Sequence, residues 1–135
     1  MTREQGHRVA AIRTAGIADE KVILDPGLGF AKTAEQNWQL LAGLDRIDAL
    51  GFPQLVGASR KSFLGAVLAD ERGPRPVGER EHANTALTTL LARPQKWGSV
   101  WGSRVHDVRA TCDALAVLAA WSQHEATDST RQERA

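Results

Sequence analysis

Three short apolar segments punctuate this chain, and each runs into a turn or a polar cluster and then into a stretch of helical periodicity. Lys21 to Asp25 closes on Pro26-Gly27, Leu55 to Ala58 closes on Ser59-Arg60-Lys61-Ser62, and Ser99 to His106 closes on Asp107. Short apolar runs bounded by turn formers read as buried strands. After the first, Thr33 and Gln36 make a capping box ahead of Trp38, Leu41, Leu44 and Ile47, a helical pattern that Gly51 and Pro53 stop. Leu64 and Leu68 predict a short helix after the second strand, and Ala83, Ala86, Leu87, Leu90 and Leu91 a further one from Glu79 to about Ala92. Asp107 can cap a last helix through Ala114, Leu115, Leu118 and Trp121. A helix over Thr2 to Ala15, ended by Gly16, precedes the whole series, and residues 69–80, rich in Gly, Pro and charge, form an exposed loop. Strand-plus-helix units in succession specify an α/β fold with a parallel sheet.

Composition narrows the function classes. With 135 residues the chain is one domain or part of one. Seventeen Lys and Arg face 16 Asp and Glu, so the broad positive field of a nucleic-acid binder is missing. The single Cys112 allows no internal disulfide, and the cytoplasm is the default location. The longest apolar run, Ala114 to Trp121, is eight residues, far below the roughly 18 that a membrane span requires. Residues 122–135, whose only apolar type is alanine, are read as a disordered tail behind a domain of residues 1–121. Trp38, Trp97, Trp101 and Trp121 are read as packing residues and Cys112 as a small core hydrophobe.

The polar residues gather where the strands end. Asp25, Lys61 and Arg104 are 36 and 43 residues apart, against about 31 per unit in a β/α barrel of eight units. Parallel connectivity then puts all three clusters on one face, the carboxyl-end face on which such architectures bind ligands. Gly27-Leu28-Gly29 begins a dinucleotide pattern, but Lys32 occupies the place of its third glycine, and no phosphate-loop motif occurs.

Asp25-Pro-Gly-Leu-Gly-Phe-Ala-Lys32, Gly57-Ala-Ser-Arg-Lys-Ser62 and Arg104-Val-His-Asp-Val108, in this order and spacing, resemble the last three strand-end motifs of the dihydropteroate synthases. The resemblance extends from about Arg8 to Trp121. It implies the carboxy-terminal part of a TIM (β/α)8 barrel, about three β/α units, strands six to eight. It also implies a transferase of folate biosynthesis, which joins p-aminobenzoate to 6-hydroxymethyl-dihydropterin diphosphate and releases pyrophosphate. In that likeness Asp25 accepts from the pterin's amino and ring N–H groups and Lys61 donates to its carbonyl or ring nitrogen. Ser62 meets the p-aminobenzoate carboxylate, Gly29 and Phe30 wall the aryl pocket, and Arg104 and His106 hold the departing pyrophosphate as the catalytic pair. A family Mg²⁺ is implied too, with its protein ligand in a part of the barrel outside this chain, so no metal-binding residue is assigned here.

Two departures and two alternatives accompany the resemblance. Residues 93–103 run about three longer than the family pattern, and Ser103 stands where an apolar residue is usual. With only part of the barrel, this chain is expected to turn over little alone. Open strand edges invite pairing with a complementary barrel half, and the resemblance suggests a homodimer through carboxy-terminal helices. A pterin-dependent methyltransferase barrel and a noncatalytic interaction remnant are the alternative functions. Ser-Arg-Lys-Ser together with Arg-Val-His-Asp favours the synthase.

Overall fold

The structure is a computed structural model that describes residues 2–93 and 100–132. Helix α1 (Thr2–Thr14) ends at Gly16, whose φ of 78° needs no Cβ penalty. A single 3-10 turn (Asp19–Lys21) leads into an extended segment that touches the sheet through one parallel bridge, Leu24 to Gln54. Helices α2 (Ala34–Ala42) and α3 (Leu44–Asp48) follow, then β1 (Gln54–Val56), α4 (Ser62–Val67), a second 3-10 turn (Val77–Glu79), α5 (Glu81–Leu91), β2 (Val100–Ser103) and α6 (Val108–Gln132).

The sheet is parallel throughout. β1 pairs with β2 in the register Leu55 to Gly102 and Val56 to Ser103, with an irregularity after Gln54. On the other side of β1, the Leu24 N–H donates to the Pro53 carbonyl at 2.9 Å and the Leu55 N–H to the Leu24 carbonyl at 2.9 Å. Three chain segments therefore lie side by side in the order of the sequence, β1 in the middle. The first is shorter than the strand expected over Lys21–Asp25, because the 3-10 turn takes its first residue and the Pro26-Gly27 turn its exit.

Helices cover one face of this sheet. Val22, Leu24 and Val56 point into a core shared with Leu40, Leu44, Ile47, Phe63 and Leu87, all buried. The Thr33 capping box forms as expected, with the Gln36 N–H donating to Thr33 Oγ1 at 3.2 Å and the Thr33 N–H to Gln36 Oε1 at 2.9 Å. Trp38 meets Phe63 edge to face at 5.1 Å between ring centroids. The helix read as continuous to Ile47 breaks at Gly43, whose N–H is shared between the Gln39 and Leu40 carbonyls.

Side chains alternate across a strand, and the alternate set is uncovered. Ile23 is 43% exposed while its neighbours Val22 and Leu24 are buried. A Cβ on Gly102 would lie 3.5 Å from Leu55 Cδ1, so these two share that open face. Asp25, Gly57 and Arg104 follow Ile23, Leu55 and Gly102 by two residues and continue the same face outward.

Three sequence expectations are corrected. Residues 122–132, read as part of a disordered tail, continue α6 to Gln132. No Gly or Pro interrupts 108–132, and extending an existing helix costs far less than nucleating one, even without apolar burial; residues 133–135 lie outside the described residues. Cys112 is exposed rather than core and Trp121 is 64% exposed, because α5 covers only one side of α6; Trp101, on β2, is also 64% exposed. The third strand is shorter than the span Ser99 to His106: it runs Val100–Ser103, and His106 is drawn away to Ser59. Ser99, Trp97 and most of the long 93–103 approach lie outside the described residues.

Candidate functional site

Each polar cluster follows one of the three parallel segments, so the sheet itself brings them to one end. Asp25 stands just past the Leu24 bridge. Its Oδ1 accepts from the Gly27 N–H at 2.7 Å, an Asx turn that fixes the carboxylate, and its carbonyl accepts from Gln5 Nε2 of α1 at 2.9 Å. The loop then passes through left-handed residues Gly27, Gly29 and Ala31. Lys32 ties it from within, donating to the Gly27 carbonyl at 2.7 Å and the Phe30 carbonyl at 3.2 Å.

Lys61 reaches across from the end of β1. Its ammonium donates to the Leu28 carbonyl and lies 4.7 Å from the centroid of the Phe30 ring. Its pKa is lowered from the ordinary lysine value, first by burial, with Arg104 and Lys32 adding repulsion and Asp25 opposing them. Lys61 thus feels the charges of Asp25 and Arg104, although no direct ion pair joins it to Asp25 among the described residues. Phe30 is 63% exposed and forms the rim.

Arg104 enters from the end of β2. Its N–H donates to the Val56 carbonyl at 2.9 Å, continuing the ladder, and a Cβ on Gly57 would lie 3.5 Å from its Nε. The guanidinium therefore packs across Gly57. His106 Nδ1 is 2.8 Å from Ser59 Oγ. Ser62 opens α4 and is exposed beside Lys61; among the described residues its side chain makes no hydrogen bond.

Three functional contributors escaped the sequence reading. Asn37, buried in α2, accepts from the Gly29 N–H at 2.6 Å and donates to the Thr33 carbonyl at 2.8 Å, anchoring the glycine loop from below. Arg80 donates to the Arg60 carbonyl at 2.8 Å and the Arg75 carbonyl at 2.8 Å, and so holds Arg60 at its φ of 63°. Glu81 accepts from Arg60 Nε at 2.8 Å and from Ser59 Oγ at 3.3 Å. Asn37 falls one residue after the capping box, on the helix's buried side, which is the only hint the sequence offers; Arg80 and Glu81 sit in a charged stretch with no distinguishing pattern.

Together these side chains form a cationic strand-end surface, with Asp25, Phe30, Arg104 and His106 exposed and Lys61 half-buried. It offers one fixed carboxylate, one ammonium over an aromatic ring, a guanidinium and an imidazole, which suits a planar heterocycle joined to an anionic group.

Known proteins resemble this chain in sequence and in fold. A family model described as pterin binding enzyme matches residues 1–106. The dihydropteroate synthase of Mycobacterium leprae is 49% identical over 108 residues, covering 79% of this chain and 37% of the relative. That of Synechocystis is 54% identical over 110 residues, covering 82% and 35%. The chain therefore spans somewhat over a third of the length of these relatives. Among solved structures, the Xanthomonas albilineans dihydropteroate synthase in complex with indole-2-carboxylic acid and 6-chloroguanine superposes with a TM-score of 0.78 at 38% identity, covering 90% of this chain and 42% of that one. The Yersinia pestis dihydropteroate synthase gives 0.76 at 35% identity, covering 90% and 53%. By this match and by its strand-end residues, the chain belongs to the pterin-binding enzyme family and within it is similar to the dihydropteroate synthases.

Proposed function

We propose that this chain supplies one wall of the pterin pocket and half of the pyrophosphate site of a dihydropteroate synthase, as three β/α units equivalent to strands six to eight of its barrel. The observation that carries the proposal is Lys61: it stands between Phe30, Asp25 and Arg104, joining residues from all three strand ends. In this reading Asp25 takes the pterin's donor edge and Lys61 its acceptor edge. The ammonium has three protons and spends one on Leu28, so others remain for a ligand. Each charge-assisted bond contributes about 1.5–3 kcal/mol. Ser62 and Phe30, exposed at the rim, take the p-aminobenzoate side, with Gly29 leaving room between them.

The chemistry follows from charge. The aryl amine is neutral and attacks the pterin methylene; the carbon–nitrogen bond forms as the carbon–oxygen bond to diphosphate breaks, and the amine proton passes to solvent. Negative charge grows on the departing pyrophosphate, where Arg104 and His106 stabilise the transition state more than the ground state. The Mg²⁺ implied by the family finds no fit among these residues. Asp25 is held in its Asx turn among cations, and among the described residues no three His, Cys, Asp or Glu side chains gather. No step is assigned to a metal here.

The uncovered sheet face, with Ile23 exposed, supports pairing with the complementary part of a barrel, since parallel sheets are ordinarily covered on both sides. Exposed Val108, Val117 and Trp121 support self-association through α6. Cytoplasmic location belongs to the same reading; among the described residues no helix is long and apolar enough to cross a membrane. The test is reconstitution: the chain mixed with the barrel part that its relatives carry beyond the matched region should form dihydropteroate from p-aminobenzoate and pterin diphosphate. Arg104→Ala should abolish that turnover. A well-folded reconstituted barrel with no activity would overturn the proposal.

A further inference from the structure

The Ser59 hydroxyl joins three elements, and the reaction outlined above makes no use of it. Its Oγ lies 2.8 Å from His106 Nδ1, 3.3 Å from the His106 backbone nitrogen and 3.3 Å from Glu81 Oε2. Ser59 is buried, Glu81 half-buried and His106 exposed, so the hydroxyl is the screened centre of the cluster.

Proton counting fixes the roles. A hydroxyl has one proton to give and two lone pairs. The Glu81 carboxylate can only accept, so the Ser59 proton goes to it. The His106 backbone N–H can only donate, and it occupies one lone pair. The remaining lone pair requires a donor on Nδ1.

We infer that Glu81, acting through Ser59, fixes the His106 imidazole in the tautomer protonated at Nδ1, which makes Glu81 and Ser59 positioning residues for His106. Nε2 is then left for a ligand at the strand-end mouth; among the described residues it has no hydrogen-bond partner. Glu81 is itself held. Arg60 Nε donates to its other oxygen at 2.8 Å, and Arg80 pins the Arg60 carbonyl at 2.8 Å. Gly65 leaves the space for this clamp, since a Cβ there would stand 2.6 Å from Arg80 Nε. The purpose rests on the proposed function: when Nε2 takes a proton to meet pyrophosphate, the ring's second N–H already points at a hydroxyl polarised by a carboxylate, so the new positive charge is backed by a negative one.

The test is nitrogen-15 NMR of the histidine rings in the full chain, with His106 assigned through His106→Gln. The neutral wild-type ring should carry its proton on Nδ1. Ser59→Ala removes the acceptor and should return the proton to Nε2, the form that free histidine prefers. Glu81→Gln should do the same for a different reason: the amide donates to Ser59, whose own proton turns to Nδ1. Because Glu81→Gln keeps the size and shape of the side chain, this second variant decides the matter if Ser59→Ala does not fold. A wild-type ring protonated at Nε2, or an unchanged tautomer in Glu81→Gln, overturns the inference. Inversion of the tautomer in a chain that binds no pterin would sink the synthase reading and leave the relay standing.

Discussion

A Cβ on Gly29 would stand 2.6 Å from Lys61 Cδ, so the lysine crosses the glycine loop where only a hydrogen fits. Gly29 also has a φ of 74°, a region that costs an L-residue about 1–2 kcal/mol. Gly29→Ala is therefore expected to lower stability by at least about that amount in urea unfolding. It should also weaken pterin binding, because Lys61 has to leave its place over Phe30.

Burial lowers the Lys61 pKa below the ordinary 10.5. The sign follows from linkage: with the folded pKa below the unfolded one, the unfolded chain binds more protons between the two values. Stability from this group is thus reduced below the folded pKa and rises with pH through the window up to 10.5. Compared with Lys61→Met, the wild type should gain stability across that alkaline window. Pterin affinity should fall across the same window as the ammonium loses its proton. Parallel pH profiles of unfolding and of binding check both signs.

Asn37 holds the loop from inside the core through Gly29 and Thr33. Asn37→Ala leaves the Gly29 N–H unpaired in a half-buried place and should cost about 1–3 kcal/mol. Unlike a residue at the rim, it should weaken pterin binding without touching the ligand, and hydrogen exchange should show the 27–31 backbone opening more often.

Asn84 is buried in α5, and among the described residues neither of its side-chain polar atoms has a hydrogen-bond partner. Asn84→Leu, close in volume and a better helix former, should stabilise the chain by about 1–2 kcal/mol, read from the urea midpoint.

Local signals made much of the fold legible. The Thr33–Gln36 box placed α2, Gly16 ended α1, and the Leu87–Leu91 spacing gave α5. Turn residues at Pro26-Gly27 and Ser59-Arg60 marked where segments leave the sheet. What escaped depends on distant partners. Leu24 forms one bridge, to Gln54, rather than a strand because its ladder bonds among the described residues are limited to Pro53 and Leu55. Cys112 looked like a core residue, yet it lies on a side of α6 that α5 leaves exposed. Asp25, Lys61 and Arg104 stand out in the sequence because each follows an apolar run. Glu81 was not found because it serves Ser59, 22 residues earlier, and no local pattern sets it apart from the charges around it.

The convergence of three strand ends on one heterocycle is most directly tested by calorimetric titration of the folded chain with a pterin. The account predicts saturable binding that Asp25→Asn and Lys61→Ala each weaken about tenfold or more. Equal affinity in all three proteins, or no binding by the folded wild type, would contradict it.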